Sequence, residues 1–427
     1  MATGTVQQNE PVSERHVSLP EKSAERSRPT HPFAQRDFRR VWTGSFISLI
    51  GDQFYLVALP WLVLQITGSS VALGAILMIA AGPRAVLMLV GGATSDRSSP
   101  RRILLTTAWA RFILVLIVGI LVHRDLVQLW QLYALAALFG SADAFSYPAG
   151  QALIPSLVET EQLPSANSLI MASAQLSLII GPLAAGLIMK RWGIAWAFLI
   201  DAFSFVALIG ALMRIRKSGP GPTLPSQPDS IRASIIEGLR YVAGQPALRS
   251  LIVLSAATNF CLSGPLMVGL AILSKQQFGS AAAFGTFISA LAFGSLAGAI
   301  GPALVKQQLH RGLILLTVFG LVGVGMILLG LLHSMFALAV TLVIMGAGGG
   351  WSNVSIQSWL QAAVDRTILG RVVSLLMFAM VGLAPFSYIL AGSIVQASLR
   401  FMLISSGLLV LLIVAITAKH GSIQAIQ

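Results

Sequence analysis

Between Arg311 and Asp365 the chain runs for 53 residues, 312–364, without one Asp, Glu, Lys or Arg. About 20 apolar residues cross the hydrocarbon core of a bilayer, so this run is long enough to cross twice. Residues 276–305 and 372–399 form two more such runs. A water-soluble fold could not hide stretches of this length several times over. Only 10% of the 427 residues are charged, against about 25% in an average soluble domain. The chain is therefore read as an all-α membrane protein, because a helix satisfies its own backbone in lipid. A soluble enzyme, a secreted disulfide scaffold and a disordered chain are excluded.

The residue types that carry covalent chemistry are sparse. Cys261 is the single cysteine, so no intrachain disulfide is possible, and the six His stand apart with no ligand spacing. Neither a metal nor a cofactor is expected. There is no nucleophile–base constellation and no phosphate-binding Gly-rich loop, so no enzymatic activity is expected. Without an ATP-binding module, work done by this chain draws on an ion gradient.

Residues 1–37 are polar and rich in Ser, Pro, Glu and Arg, and are expected to be a disordered cytoplasmic leader. No short apolar region with a small-residue cleavage site precedes the first long apolar stretch, so no cleavable signal peptide is expected. Twelve apolar segments follow, near 41–66, 71–93, 103–122, 128–150, 166–189, 194–214, 249–273, 281–304, 312–332, 335–357, 371–394 and 400–418. They group into a six-helix bundle over 38–215, a cytoplasmic linker over 216–248, a second six-helix bundle over 249–419, and a tail at 420–427. Within the linker, Ile231, Ile235, Leu239 and Val242 recur at helical spacing opposite Arg232, Glu237 and Arg240. This pattern fits an amphipathic helix on the membrane surface, or a solvated loop helix.

The 28 basic residues against 15 acidic give a net charge of +13, which in a soluble chain would suggest nucleic acid. Here their placement sets orientation instead. With both termini inside, 21 basic residues fall on the inner face and 5 on the outer, while Arg84 and Arg111 lie within the membrane. The positive-inside rule then puts both termini in the cytoplasm of a cell-membrane protein. No nucleic acid is expected; the bilayer itself is the partner.

The halves also match at an offset of 206 residues. FGSADAFSYPAGQALIPSLV (139–158) lies over MGAGGGWSNVSIQSWLQAAV (345–364), with Gly140 on Gly346, Phe145 on Trp351, Ser146 on Ser352 and Gln151 on Gln357. Two six-helix halves related by a parallel repeat describe the major facilitator architecture, whose site lies between the halves near the bilayer midplane. The loop Gly92-Ala-Thr-Ser-Asp96-Arg97-Ser-Ser-Pro-Arg101-Arg102 resembles the loop 2–3 signature of major facilitator transporters. It has one extra residue and lacks the usual Gly after Asp-Arg. GDQFYLVALPWLVLQITGSS (51–70), IPSLVETEQLPSANS (154–168), LIDAFSF (199–205) and LGRVVSLL (369–376) resemble the enterobactin-exporter and macrolide-efflux branch. That resemblance implies a secondary-active exporter of small amphipathic molecules, coupled to a proton or another cation, and a monomer. An importer on the same fold and a non-transporting receptor or scaffold are the alternatives.

Within the signature loop, Gly92 permits close helix approach, and Asp96 suits the positive N-terminus of a facing helix. That helix is expected to be the eleventh, which places Asp96 within reach of Arg371 as a cytoplasmic gate. Ordinary positive-inside loop charges are the alternative reading. In the second half Val305 replaces the Asp, while Lys306 and Arg311 face the loop that carries Glu159 and Glu161.

Five ionisable groups fall inside apolar segments: Asp52, Arg84, Arg111, Asp143 and Asp201. Such groups mark function by default. Asp52 and Arg84 lie at equal depth, about 24 Å from the first outer turn at 1.5 Å per residue. They are expected to pair, either as a clip between helices or as a proton site in which Asp52 takes up a proton and releases Arg84. Asp143 is the second candidate carrier, whereas Asp201 and Arg111 are read as structural groups nearer helix ends. Two departures from proton-coupled drug exporters stand out: Ala136 occupies the fourth-helix Arg position, and the fifth-helix motif survives only as Gly181-Pro182-x-x-x-Gly186. For a substrate cavity, the segments expected to face the centre offer Phe54, Trp61, Asn259, Met267, Trp351, Asn353 and Gln357.

Overall fold

The computed structural model describes residue 1 and residues 31–97, 99–215, 231–304 and 311–419, with backbone only at 88–97, 231–235, 303–304, 311 and 366–367. Among these residues every regular element is helical. The first half contains α1 (Arg36–Thr67), α2 (Ser70–Arg97), α3 (Pro100–His123), α4 (Leu129–Leu153), α5 (Leu163–Trp192) and α6 (Ile194–Met213). A short α7 (Ile231–Gly244) leads to the second half. There follow α8 (Pro246–Leu273), α9 (Ala281–Leu304), α10 (Arg311–Leu331), α11 (Met335–Ala363), α12 (Arg366–Val381), α13 (Ala384–Ala397) and α14 (Leu399–Lys419).

Local chemistry sets the boundaries. Gly68 adopts φ 62° and closes α1, its N–H donating to the Leu64 carbonyl at 3.0 Å. Pro100 and Pro246 open α3 and α8, where no intrahelical donor is needed. Before α1 a 3₁₀ turn spans Pro32–Ala34, so helical structure reaches into the last residues assigned above to the leader. Residues 2–30, 216–230 and 420–427 lie outside the described residues.

Among the described residues eleven segments are long and apolar enough to cross a membrane, rather than the twelve expected. The difference is α4, in which Ser141, Asp143, Ser146, Tyr147 and Gln151 dilute an otherwise apolar 25-residue helix. The eleventh expected segment is divided. The Gly382 N–H donates to the Phe378 carbonyl at 2.8 Å, and Pro385 stands at the start of the helix beyond, so α12 stops and α13 begins within one crossing.

Within the first half α2 packs on α4, α3 on α6 and α1 on α5; within the second, α9 packs on α11, α10 on α14 and α8 on α13. Glycines allow the closest of these approaches. A Cβ on Gly140 would come 2.1 Å from the Ala80 carbonyl, and one on Gly346 would come 2.1 Å from the Leu291 carbonyl.

Across the halves the principal contacts are α2 with α13 and α5 with α9. All the named contacts here lie toward the end of the bundle away from the chain termini. Ser70 Oγ donates to the Gly392 carbonyl at 2.7 Å, and the Leu183 N–H to Ser289 Oγ at 3.0 Å. Lys275 Nζ donates to the Leu64 carbonyl. The apolar core follows the same division. One cluster, including Leu59, Leu73, Phe198, Phe284 and Leu403, draws on both halves at this distal end. Toward the end that carries the termini the clusters are separate, one around Phe38, Leu157 and Leu212 and another around Leu248, Leu360 and Val372. Among the described residues the two halves are sealed distally and carry separate cores at the terminal end. Exposed Trp130, Trp192, Trp196, Phe336 and Phe401 ring the distal end, as interfacial aromatics do.

Candidate transport site

Four helices each carry one charge to the middle of their length: Asp52 on α1, Arg84 on α2, Arg111 on α3 and Asp143 on α4. They form an alternating series. Arg84 Nη1 lies 3.1 Å from Asp143 Oδ2, Arg111 Nη1 lies 3.8 Å from Asp143 Oδ1, and Arg111 Nη2 lies 2.5 Å from Asp52 Oδ1. Arg111 is the hub, its side chain 9% exposed against 51% for Arg84. Phe139 of α4 and Phe205 of α6 lie against its guanidinium, with ring centroids 4.4 and 4.7 Å from Cζ. Tyr55 stacks on Phe139 at 4.2 Å, extending the aromatic packing away from the charge. A planar, delocalised cation suits this setting, because it can present separate donors to two carboxylates while its faces contact rings.

The pairing differs from the one expected. Asp52 is bound to Arg111, and Arg84 to Asp143. Equal depth on adjacent helices does not fix which way each side chain points; helix rotation does. Arg111 also lies in the middle of α3, not near its end, so its reading as a peripheral structural group is corrected. Asp201 is fully buried in α6 and neither of its carboxylate oxygens has a hydrogen-bond partner.

The charges stand beside a pocket of about 300 Å³ built from α1 to α6. Asp52, Arg84, Arg111 and Asp143 form its polar part, and Trp42, Phe46, Tyr147 and Gln151 contribute further lining among mostly apolar residues. This combination of a largely apolar wall and a few convergent polar groups is what a small-molecule site requires. Sequence reasoning missed the pocket aromatics. Their signal was available in part, since Trp42 and Phe46 are four residues apart and share a face of α1 with Leu49.

None of the seven cavity residues expected from sequence lines this pocket. Phe54 and Trp61 are buried in the core shared by the two halves, which corrects their reading as cavity wall for this distally sealed conformation. Met267 packs on that core, and Trp351 on the separate core of the second half, over Gly301. Asn259 Oδ1 accepts a hydrogen bond from Ser263 Oγ at 2.8 Å. Asn353 is exposed and Gln357 half-buried on α11.

For the signature loop, the side chains of Gly92, Asp96 and Arg97 lie outside the described residues, as do Val305 and Lys306. Arg101 caps a helix end: its Nε donates to the Leu212 carbonyl at 2.7 Å and its Nη2 to the Met213 carbonyl at 3.1 Å. A cation there meets the negative end of α6. Arg102 is exposed. Arg371, expected to meet Asp96, forms an ion pair with Glu237 of α7. That helix docks on α12 and α8, with Val242 buried while Ile236 and Leu239 are exposed.

A family model described as a transmembrane secretion effector matches residues 27–424. The multidrug efflux pump Tap of Mycolicibacterium fortuitum is 28% identical over 382 residues, covering 86% of this chain and 91% of that protein. The enterobactin exporter EntS of Shigella flexneri is 26% identical over 352 residues, covering 80% of each. Among solved structures, the nucleoside transporter NupG superposes with a TM-score of 0.72 at 10% identity, covering 90% of this chain and 98% of that one. A bacterial homologue of the iron transporter ferroportin in an inward-facing state gives 0.67 at 17% identity, covering 90% and 98%. At those identities the solved structures speak to fold alone. The chain is a multi-pass membrane transporter and not an enzyme, and it belongs to the transmembrane secretion effector family of the major facilitator superfamily.

Proposed function

We propose that this protein is a proton-coupled exporter of small amphipathic or hydrophobic compounds, working by alternating access between two six-helix halves in the cell membrane. The single observation that carries the reading is the alternating series Arg84–Asp143–Arg111–Asp52, centred on the buried Arg111, at the edge of a mostly apolar pocket. Protonating Asp52 removes the charge that binds Arg111 on that side. The network then has a reason to repack, and a proton can be exchanged against an apolar solute in the adjoining space. That Tap and EntS are exporters supports the outward direction.

Twelve crossings follow if α4 is counted with the eleven apolar spans, since it lies between α2 and α3 and carries Asp143. The matched helix contacts of the two halves, and glycines 206 residues apart in like positions at Gly140 and Gly346, support the internal repeat. The distribution of basic residues supports cytoplasmic termini, which makes the distally sealed state the one open to the cytoplasm. Such a state receives cargo from inside. The protein acts as a monomer in this reading, with the charge network and pocket contained in one chain.

The test uses inside-out membrane vesicles and a lipophilic fluorescent dye. Acidifying the lumen should drive dye uptake, a protonophore should abolish it, and Asp52→Asn should lose the pH-driven component. Uptake by Asp52→Asn that responds to the gradient as the wild type does would remove Asp52 from coupling. Dye movement in the opposite sense would identify an importer.

A further inference from the structure

Of the five ionisable groups that the sequence sets within the membrane, Asp201 alone stands outside the series of ion pairs. It is 0% exposed, and neither carboxylate oxygen has a partner. An ionised carboxylate without hydrogen bonds or a counter-ion is among the costliest groups to bury. Asp201 faces α1 where that helix carries Gly51. A Cβ there would come 2.9 Å from Asp201 Oδ1 and 2.1 Å from Ser204 Oγ, so the missing side chain makes the room the carboxyl group occupies.

The groups around it are specific. From α1 come Asp52, which follows Gly51 in sequence, and Tyr55, whose buried hydroxyl has no partner. From α3 comes Arg111, whose charge acts on Asp201 together with that of Asp52. The Nη atoms of Arg111 serve Asp52 and Asp143, while its Nε is buried and unpartnered. Asp143 of α4 stands behind that guanidinium. The basic residues of α5, Lys190 and Arg191, lie in its last turn, away from this level. Two arginines and the two paired acids sum to zero, and an ionised Asp201 would leave the interior with one net negative charge.

We propose that Asp201 is a second proton-binding site of the transport cycle, a carboxylic acid in the state described here that competes with Asp52 for Arg111. This rests on the proton-coupled reading given above. In the exchange, the O–H bond of Asp201 breaks and the proton passes to the carboxylate of Asp52. The guanidinium keeps its charge and turns its free Nε toward Asp201. The products are an ionised Asp201 bound to Arg111 and a neutral Asp52. The pocket reaches Asp52 and not Asp201, so Asp52 is the site that meets water and cargo, and Asp201 the reserve behind it.

The test is infrared spectroscopy of the purified full-length protein in lipid nanodiscs at mildly alkaline pH, where exposed carboxyl groups are ionised. The C=O stretch of a protonated carboxyl group should be present in the wild type and be lost in Asp52→Asn, where Arg111 no longer holds the Asp52 carboxylate and is released to Asp201. It should also vanish in Asp201→Asn. Its persistence in Asp52→Asn overturns the inference even if Asp201→Asn fails to fold. In vesicles, Asp201→Asn should lose uptake driven by a pH gradient yet retain exchange of labelled for unlabelled dye, and Asp201→Glu should recover part of the driven uptake. Driven uptake by Asp201→Asn at the wild-type rate also overturns it. If instead the wild type ignores the gradient, the coupled-transport reading falls, and the cycle role of Asp201 with it, whatever the infrared band shows.

Discussion

Arg111 holds two carboxylates with one guanidinium while two phenyl rings lie against it, so its removal should be felt in folding as well as in transport. Truncation leaves Asp52 without its cation; breaking a fully buried pair costs about 3–5 kcal/mol, and the cost is smaller here because the Asp52 side chain is 25% exposed to the pocket. Arg111→Ala should therefore lower the apparent Tm in detergent and abolish driven uptake. Arg111→Lys keeps the charge and loses the fork, so it should recover most of the Tm but little of the transport. A thermal shift assay alongside vesicle uptake separates the two effects. At this scale the sequence was legible in one respect and opaque in another. Five ionisable groups amid apolar text are conspicuous because lipid tolerates so few. Their partners were not legible, because a change in helix rotation exchanges one neighbour for another: Asp52 and Arg84 share a depth, yet each binds a different residue.

Helix pairs behave differently according to whether they lie within one half or between the two. Gly298 of α9 faces α11, and a Cβ there would come 1.9 Å from the Ala347 carbonyl. Gly285 of the same helix faces α5 across the divide, where a Cβ would come 2.1 Å from the Pro182 carbonyl. Gly298→Val should destabilise its half by about 1–3 kcal/mol, as overpacking does, and depress yield and Tm. Gly285→Val should instead part the distal seal and hold the two halves in the other state. Spin labels on the distal ends of α5 and α9 should then report a longer separation with little change in Tm. A Gly285→Val protein with the wild-type separation would show that this contact does not govern closure. Most elements were readable from apolar length alone, and the boundaries at Gly68 and Pro100 from turn and cap chemistry. Two departures have local causes: α4 falls short of the apolar measure of a span because it carries polar residues of the site, and α12 breaks from α13 between Gly382 and Pro385, helix-breaking residues that a reading by apolar length passes over.

At the scale of the whole molecule, the core that both halves share among the described residues lies at the distal end. In the cycle proposed above, a move to the opposite state would therefore uncover apolar surface distally while covering a similar amount at the terminal end. Where the two areas match, the balance between states is small enough for a proton to tip it. The expected cytoplasmic gate falls on Asp96, whose side chain lies outside the described residues; among the described residues Arg371 pairs with Glu237 of the linker helix, tying α7 to α12. Because α13, beyond the break, carries the contact with α2, one crossing answers to two neighbours. A disulfide between Glu237→Cys and Arg371→Cys, in a Cys261→Ser background, should therefore leave driven uptake intact. Loss of uptake restored by reductant would mean that α7 must leave α12 during the cycle. In the cycle proposed above, the break near Gly382 would act as a clutch: the outer piece of the helix would disengage from its neighbour while the inner piece stayed latched, and the tether of α7 to α12 would not have to be released each time cargo was discharged.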